Sequence, residues 1–177
     1  MTTATVQAGS AGAPVRIRLA DGACVVIRRL EDSDGPALTA ALESADPMDL
    51  RRRFMGMPPP ASVLLARLRT ADGVHDYALG AFTDAGRLVG VAQFDRADDA
   101  PTAEFAIEVA NDWQRRGLGS RLLERLAVVA GELGITRFTA TYYADNLPVR
   151  RLLHESGHVI ASGFDQGEGY AVLDLTA

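Results

Sequence analysis

Lysine is absent from this sequence, and all eighteen of its basic residues are arginine. A P-loop nucleotide site is therefore excluded, because the side chain that reaches the phosphates in that site is a lysine. Cys24 is the single cysteine. It allows neither an internal disulfide nor a multi-cysteine metal site, and it is typical of a reducing compartment, so we expect a cytoplasmic protein. The three histidines lack ligand spacing, so no metal is expected.

Long apolar runs are also missing. No stretch approaches the ~20 consecutive apolar residues that a membrane-spanning helix needs. The first fourteen residues lack the basic patch followed by an apolar run that marks a secretory signal. The net charge is −5 and the isoelectric point is about 5.2, whereas general nucleic-acid binding needs a basic surface. We therefore expect neither a membrane nor a nucleic acid as a partner.

The 177 residues, of which 47% are hydrophobic, are enough for one globular domain. Residues 1–13 are small and polar without periodicity, and they are predicted to form a disordered leader. Residues 14–177 are predicted to form the folded domain. Strand-like and helical patterns alternate there, which predicts a mixed α/β layer fold.

The strand-like runs are 15–19, 23–28, 77–83, 87–95, 103–109, 136–142, 159–162 and 170–175. The helical patterns are about 33–44, a short segment opened by Asp46 and Pro47, 62–69, 117–133 and 146–155. The clearest strand is 103–109, where Phe105, Ile107 and Val109 alternate with Glu104, Ala106 and Glu108. The clearest helix is 117–133, where leucines and valine recur on one face.

The segment from Ala103 to Gly119 joins this strand to this helix through a short polar loop. The first turn of a helix has free backbone N–H groups and a positive dipole end. Glycines at 117 and 119 let a bulky anion approach that backbone closely, and Arg115 and Arg116 add donors for phosphate oxygens. The pattern predicts a pyrophosphate site. The alternative is a helix start that uses glycine only for tight packing.

The spacing Gln114-x-x-Gly117-x-Gly119 resembles the acyl-CoA pyrophosphate motif of the GNAT family of N-acetyltransferases. Asn146, Leu152 and Gly157 also stand where that family has its next conserved helix and strand. The resemblance covers 15–175. The segments AEFAIEVAND, QRRGLGS, ITRF and DNLPVRRLL are similar to the acetyltransferase domain of actinobacterial protein-lysine acetyltransferases of the Pat type.

This resemblance implies an α/β (α+β) GNAT fold, with a mixed, mostly antiparallel seven-stranded sheet and about four flanking helices. The sheet would splay between its fourth and fifth strands, here 103–109 and 136–142, and acetyl-CoA would lie in the opening. The Val109 N–H would polarise the thioester carbonyl. The residues that the resemblance assigns to acetyl-CoA are Ile107, Glu108, Val109, Gln114, Arg115, Arg116, Gly117, Leu118, Gly119, Ser120 and Asn146.

Acyl transfer to an amine needs a general base, because deprotonating a lysine of pKa about 10.4 at pH 7 costs about 4.6 kcal/mol. Glu104 occupies the position at which Pat-type enzymes have their catalytic glutamate, and partial burial would raise its pKa. Glu108 shares the same nominal face and is the rival. Either glutamate could instead be a solvated acid on a half-exposed strand. Leu153 stands where many family members have a tyrosine that protonates the departing thiolate.

The resemblance assigns recognition of the acceptor to 55–60 and to 163–169. The run Arg51-Arg52-Arg53 is interpreted as a solvated helix face, with contact to the CoA 3′-phosphate as the alternative. The main hypothesis is a lysine N-acetyltransferase acting on other proteins, as a monomer or homodimer. An acetyltransferase for a small amine and a catalytically silent acyl-CoA-binding regulator are the alternatives.

Overall fold

The computed structural model describes residues 12–176, without the side chains of 68–70. The predicted leader, 1–13, lies outside the described residues apart from Gly12 and Ala13. The strands are β1 Val15–Arg18, β2 Cys24–Arg29, β3 Asp76–Phe82, β4 Leu88–Asp95, β5 Thr102–Val109, β6 Arg137–Tyr143, β7 Val159–Asp165 and β8 Glu168–Asp174. The helices are α1 Gly35–Ser44, α2 Pro47–Phe54, α3 Ala61–Thr70, α4 Leu118–Glu132 and α5 Leu147–Ser156.

The strands form one sheet in the order β1-β2-β3-β4-β5-β6-β8-β7. All neighbouring pairs are antiparallel except β5 and β6. The mixed α/β class and the mostly antiparallel sheet were predicted correctly. Within the described residues the sheet has eight strands where the resemblance implied seven, and five α-helices where it implied about four. The difference in helix number arises because Pro58 to Pro60 separate α2 from α3.

The opening in the sheet lies between β5 and β6, where it was predicted. The two strands pair only over Thr102↔Arg137, Ala103↔Phe138 and Glu104↔Thr139. Beyond Glu104 the strands diverge, although β5 continues to Val109. A parallel pair needs a long crossover, and α4 is in that crossover. The divergence therefore places the start of α4 beside an unpaired edge of β5.

One face of the sheet packs against α4, as the apolar stripe of this helix predicts. Leu122, Leu126 and Val129 are fully buried there. The approach is close, because a side chain at Gly90 of β4 would stand 2.9 Å from a methyl group of Leu122. Phe94, Phe105 and Phe138 of three neighbouring strands form the centre of this core.

The opposite face is covered only in part. The helices α1 to α3 pack over β2 to β5, around a small cluster of Leu30, Phe82 and Leu88. The start of α1 is held to β2 by Arg28, which donates two hydrogen bonds of 2.7 Å to the buried carboxylate of Asp34. Farther along this face, β6, β8 and β7 present exposed side chains to solvent, among them Thr141, Tyr170 and Ala161.

Candidate functional site

A cleft of about 600 Å³ lies at the opening between β5 and β6. It is walled by the second half of β5, the start of α4, β6 and α5, and α2 closes it on the other face of the sheet. Such a volume is within the usual range for a site that holds a small molecule or coenzyme. The cleft continues from the start of α4 through the plane of the sheet, so it connects the two faces.

The edge of β5 that faces the cleft has backbone groups available for a ligand. The N–H of Ala110 donates to the carbonyl of Val89, on the β4 side. Successive residues of a strand direct their N–H groups to opposite sides, so Ile107 and Val109 direct theirs to the cleft. Because the pairing with β6 ends at Glu104, an extended ligand can add to this edge as another strand would.

The start of α4 has an unusual backbone. Arg115 and Gly117 both have positive φ angles, of 58° and 83°. Only glycine adopts the second readily, which accounts for Gly117. The backbone angle does not explain the glycine at 119. A Cβ atom there would approach only Leu152, at 3.8 Å, which is an ordinary contact. Tight packing within the protein therefore does not require Gly119, and this argues against the packing alternative considered for the two glycines.

The two arginines of the motif point in different directions. The side chain of Arg115 lines the cleft and is exposed. Arg116 is turned away, with hydrogen bonds of 2.9 Å to the Asp21 carboxylate and 2.6 Å to the Asp112 carbonyl. Its guanidinium also lies over the ring of Trp113. The Arg116 side chain is therefore engaged by partners outside the cleft, and its predicted contact with the phosphates stays a prediction.

Gln114 connects three parts of the site. Its side-chain nitrogen donates to the carbonyl of Val109 at 3.0 Å, to Oδ1 of Asn111 at 2.9 Å and to Oδ2 of Asp49 at 3.2 Å. Val109 ends β5, Asn111 lies in the loop before α4, and Asp49 belongs to α2. An amide nitrogen has two hydrogens, so these three acceptors share them. Gln114 thus ties α2 to the end of β5.

Asn146, directly before α5, and Leu153 of α5 line the cleft. Asn146 is 6% exposed and caps the helix, because its Oδ1 accepts the N–H of Val149 at 3.3 Å. Cap residues satisfy backbone N–H groups that have no partner within the helix. Leu153 is 3% exposed. Because its side chain is a hydrocarbon, it supplies no hydroxyl group at this point of the wall.

Two glutamates of β5 lie on the sheet face that α1 to α3 partly cover. Glu104 is exposed and stands directly opposite Asp95 of β4. Glu108 is half-buried and lines the cleft, and burial raises its pKa, although the Arg53 charge acts in the opposite direction. The partial burial that was expected for Glu104 is therefore found at Glu108 instead, because α2 packs over the second half of β5.

The arginine run of α2 is not the solvated face that was expected. Arg52 and Arg53 are half-buried and line the cleft, whereas Arg51 is exposed over the ring of Tyr143. Burial lowers the pKa of Arg53, and Glu108 partly offsets that effect. The interpretation was wrong for two of the three residues because α2 packs against β5 and β6 at the cleft.

A comparison with family models matches residues 44–158 to the acetyltransferase (GNAT) family. This span is more than half of the chain, and it contains the motif loop, α4 and α5. The chain belongs to the GNAT acetyltransferase family. The members of this family are acyltransferases, the enzyme class that the sequence predicted.

The resemblance to Pat-type proteins is confirmed. The chain is 34% identical over 113 residues to acetyltransferase Pat of Mycolicibacterium smegmatis, covering 62% of the chain and 34% of that protein. It is 29% identical over 145 residues to acetyltransferase PA5475 of Pseudomonas aeruginosa, covering 80% and 78%. The crystal structure of the GNAT domain of S. lividans PAT matches with a TM-score of 0.82 and 26% identity, covering 91% of this chain and 96% of the other.

A cAMP-binding acyltransferase from Mycobacterium smegmatis matches with a TM-score of 0.65 and 26% identity. The match covers 92% of this chain and 47% of that structure. The chain therefore spans about a third of Pat and about half of this acyltransferase.

Most residues that were predicted for the GNAT site are brought together around the cleft: Ile107, Glu108, Val109, Gln114, Arg115, Gly117, Leu118, Gly119, Ser120 and Asn146. Glu104 and Arg116 do not line it. Their roles in binding and catalysis, and those of the cleft residues, stay predictions. Sequence reasoning missed Asp49, which reaches Gln114 across 65 positions. An acid in the first turn of a short helix is ordinary, so no signal marked it.

The described residues contain no group of three or more histidine, cysteine or acidic side chains arranged to hold a metal ion. Among the helices of that same part of the chain, none has the length and apolar character needed to cross a membrane.

Proposed function

We propose that this GNAT protein transfers an acetyl group from acetyl-CoA to a primary amine, and that the amine is the lysine side chain of a protein substrate. The observation that carries this proposal is the continuous cleft. It begins at the glycine-containing start of α4, follows the free edge of β5, and passes through the sheet to the face with two glutamates.

The start of α4 fits the diphosphate of the coenzyme. The space that a side chain at 119 would occupy is not filled by other protein atoms, and both Gly119 and Arg115 line the cleft. The backbone N–H groups of the first turn and the helix dipole both favour an anion there. We infer that this backbone, Ser120 and the Arg115 guanidinium hold the phosphates, while Arg116 supports the loop through its contact with Asp21.

Along β5, Ile107 and Val109 offer N–H groups to the amides of the pantetheine arm. The Val109 N–H is proposed to polarise the thioester carbonyl, since a donor fixed in a strand needs no reorganisation during the reaction. Gln114 holds the Val109 carbonyl and thereby fixes the peptide at the end of the strand.

Glu104 is proposed as the general base. It stands directly opposite Asp95 in the antiparallel pair, and like charges opposite one another destabilise a sheet. The Arg53 charge acts on both acids, and an incoming ammonium group would relieve the repulsion that is left. Glu104 then accepts a proton from the amine, directly or through one water molecule, before the amine attacks the thioester.

Glu108 is the alternative base, because it is half-buried, lines the cleft and has a raised pKa. A raised pKa brings a carboxyl group closer to the operating range of a base. The departing thiolate has no phenol at Leu153 to protonate it, so its proton comes from water or from another group.

The open face beyond Glu104 supports a protein acceptor. Thr141 and Tyr170 are exposed on β6 and β8, and Glu168 is exposed at the hairpin between β8 and β7. These side chains are open to solvent, and an open surface suits a protein acceptor better than a small amine.

Two measurements test the proposal. Calorimetry should detect binding of acetyl-CoA, and incubation with acetyl-CoA and a cell lysate should produce acetyl-lysine peptides by mass spectrometry. The Glu104→Gln variant serves as the control for chemical acetylation. Acetylation of a panel of small amines without lysine labelling would favour the small-molecule alternative. Coenzyme binding without any transfer would favour the silent regulator.

A further inference from the structure

A second, smaller cavity of about 80 Å³ lies between the sheet and the helices α1 to α3. We call it the inner cavity. Its lining includes the apolar side chains Leu30, Leu38, Leu42, Phe54, Leu64 and Val91, and polar residues such as Asp76, Gln93 and Asp95 also contribute to it. Arg53 and Glu108 line both the inner cavity and the coenzyme cleft. These two charged side chains are therefore shared by the cleft and a neighbouring, largely apolar space, and we call them the partition.

The partition lies beside the place where the proposed function puts the acyl group. Side chains alternate across a strand, so Glu108 points to the α1–α3 face while Ile107 and Val109 direct their N–H groups to the cleft edge. An acyl group whose carbonyl contacts the Val109 N–H is thus one residue from Glu108. Any extension of that group toward the inner cavity meets Glu108 and Arg53.

We propose that Arg53 and Glu108 restrict the acyl group to a short chain. If this partition were removed, the inner cavity would accept a longer alkyl chain. This inference rests on the proposed function. Glu108 is already half-buried, and burial raises its pKa. A longer alkyl chain would remove more water from this carboxyl group and from the Arg53 guanidinium, which is unfavourable without new hydrogen bonds. The methyl group of an acetyl is too short to do so.

The test compares the affinities of acetyl-CoA, propionyl-CoA and butyryl-CoA by calorimetry, which needs no knowledge of the acceptor. The wild-type protein should bind acetyl-CoA more tightly than butyryl-CoA. In Glu108→Ala the two additional methylene groups of butyryl-CoA can enter apolar surroundings. Each buried methylene contributes about a factor of four, so the ratio of butyryl-CoA to acetyl-CoA affinity should rise by about 15-fold.

Glu104→Ala is the matched control, since Glu104 is an acid on the same strand and the same face but lines neither space. Its affinity ratio should equal that of the wild type. Ala78 also lines the inner cavity, so adding Ala78→Val to Glu108→Ala should return the ratio toward the wild-type value. Arg53→Ala removes the partition from the α2 side and supplies an independent test if Glu108→Ala does not fold.

An unchanged ratio in both folded partition variants would overturn the inference, as would an equal rise in Glu104→Ala. Failure of the wild-type protein to bind CoA itself would overturn the proposed function instead. The two failures are distinguishable because the first requires normal CoA binding and the second requires that it be absent.

Discussion

Gly119→Ala should make the protein more stable while it weakens coenzyme binding. Gly119 lies in the first turn of α4, and alanine is favoured over glycine in a helix by about 0.5–1 kcal/mol. The added Cβ would meet Leu152 at 3.8 Å, so it causes no clash within the protein. For a chain of this size, the melting temperature should rise by about 1–4 °C.

The same methyl group would occupy the space that we assign to the diphosphate. A ligand that depends on close approach to the backbone must then move outward and lose hydrogen bonds to the N–H groups of the first turn. We expect the affinity for acetyl-CoA to fall at least about tenfold, which corresponds to about 1.4 kcal/mol. Calorimetry measures the affinity, and thermal denaturation without ligand measures the stability.

Gly131→Ala is the matched control, because Gly131 also belongs to α4 and a side chain there would meet nothing within 4 Å. It lies near the other end of the helix and does not line the cleft. It should raise the melting temperature without changing the affinity. If Gly119→Ala stabilises the protein and leaves the affinity at the wild-type value, the diphosphate does not approach this backbone and the assignment of the site is wrong.

Glu104→Gln should lower kcat at pH 7 by about 10²- to 10⁴-fold with little change in acetyl-CoA affinity, because a general base is lost; an unchanged kcat in steady-state assays would transfer the role to Glu108. Asp34→Ala should reduce the free energy of unfolding at pH 7 by about 2 kcal/mol, because it leaves the Arg28 guanidinium without its buried partner. The hydrogen bond from Arg28 lowers the pKa of Asp34, so this stabilisation is present above about pH 4 and is lost as the pH falls through the lowered value. Urea titrations at pH 7 and pH 2.5 should therefore show a smaller difference between variant and wild type at the lower pH, and an equal difference would contradict the linkage. Gln114→Leu removes all three hydrogen bonds of its amide, and we expect acetyl-CoA affinity and kcat to fall together, whereas loss of affinity alone would mean that Gln114 only contacts the coenzyme.

Local patterns predicted the elements that depend on contacts near in sequence. The apolar stripe of α4 follows the helical repeat, and Leu122 and Leu126 are buried as that repeat requires. Strand alternation likewise placed Glu104 and Glu108 on one face. The place of the opening between β5 and β6 came from the resemblance to a family, and the register confirms it, with pairing that ends at Glu104.

Contacts between distant segments could not be predicted in this way. Arg116 is directed away from the cleft by Asp21, which is 95 positions away, and Gln114 is engaged by Asp49 from α2. Nothing in the local sequence distinguishes Arg116 from Arg115, because both are charged residues of the same loop. Which of them faces the cleft depends on the segment that packs against the loop in the folded chain.

The sequence by itself determined the periodic elements, the glycine positions at the start of α4 and the acids on one face of β5, because these follow from backbone conformation and from the repeat of a helix or strand. Only the tertiary structure decided which of those acids is shielded from water and which arginines face the coenzyme cleft. The physical reason is that burial and charge pairing depend on the neighbours in space. Here α2 shields Glu108 and Asp21 engages Arg116, and both come from distant parts of the chain.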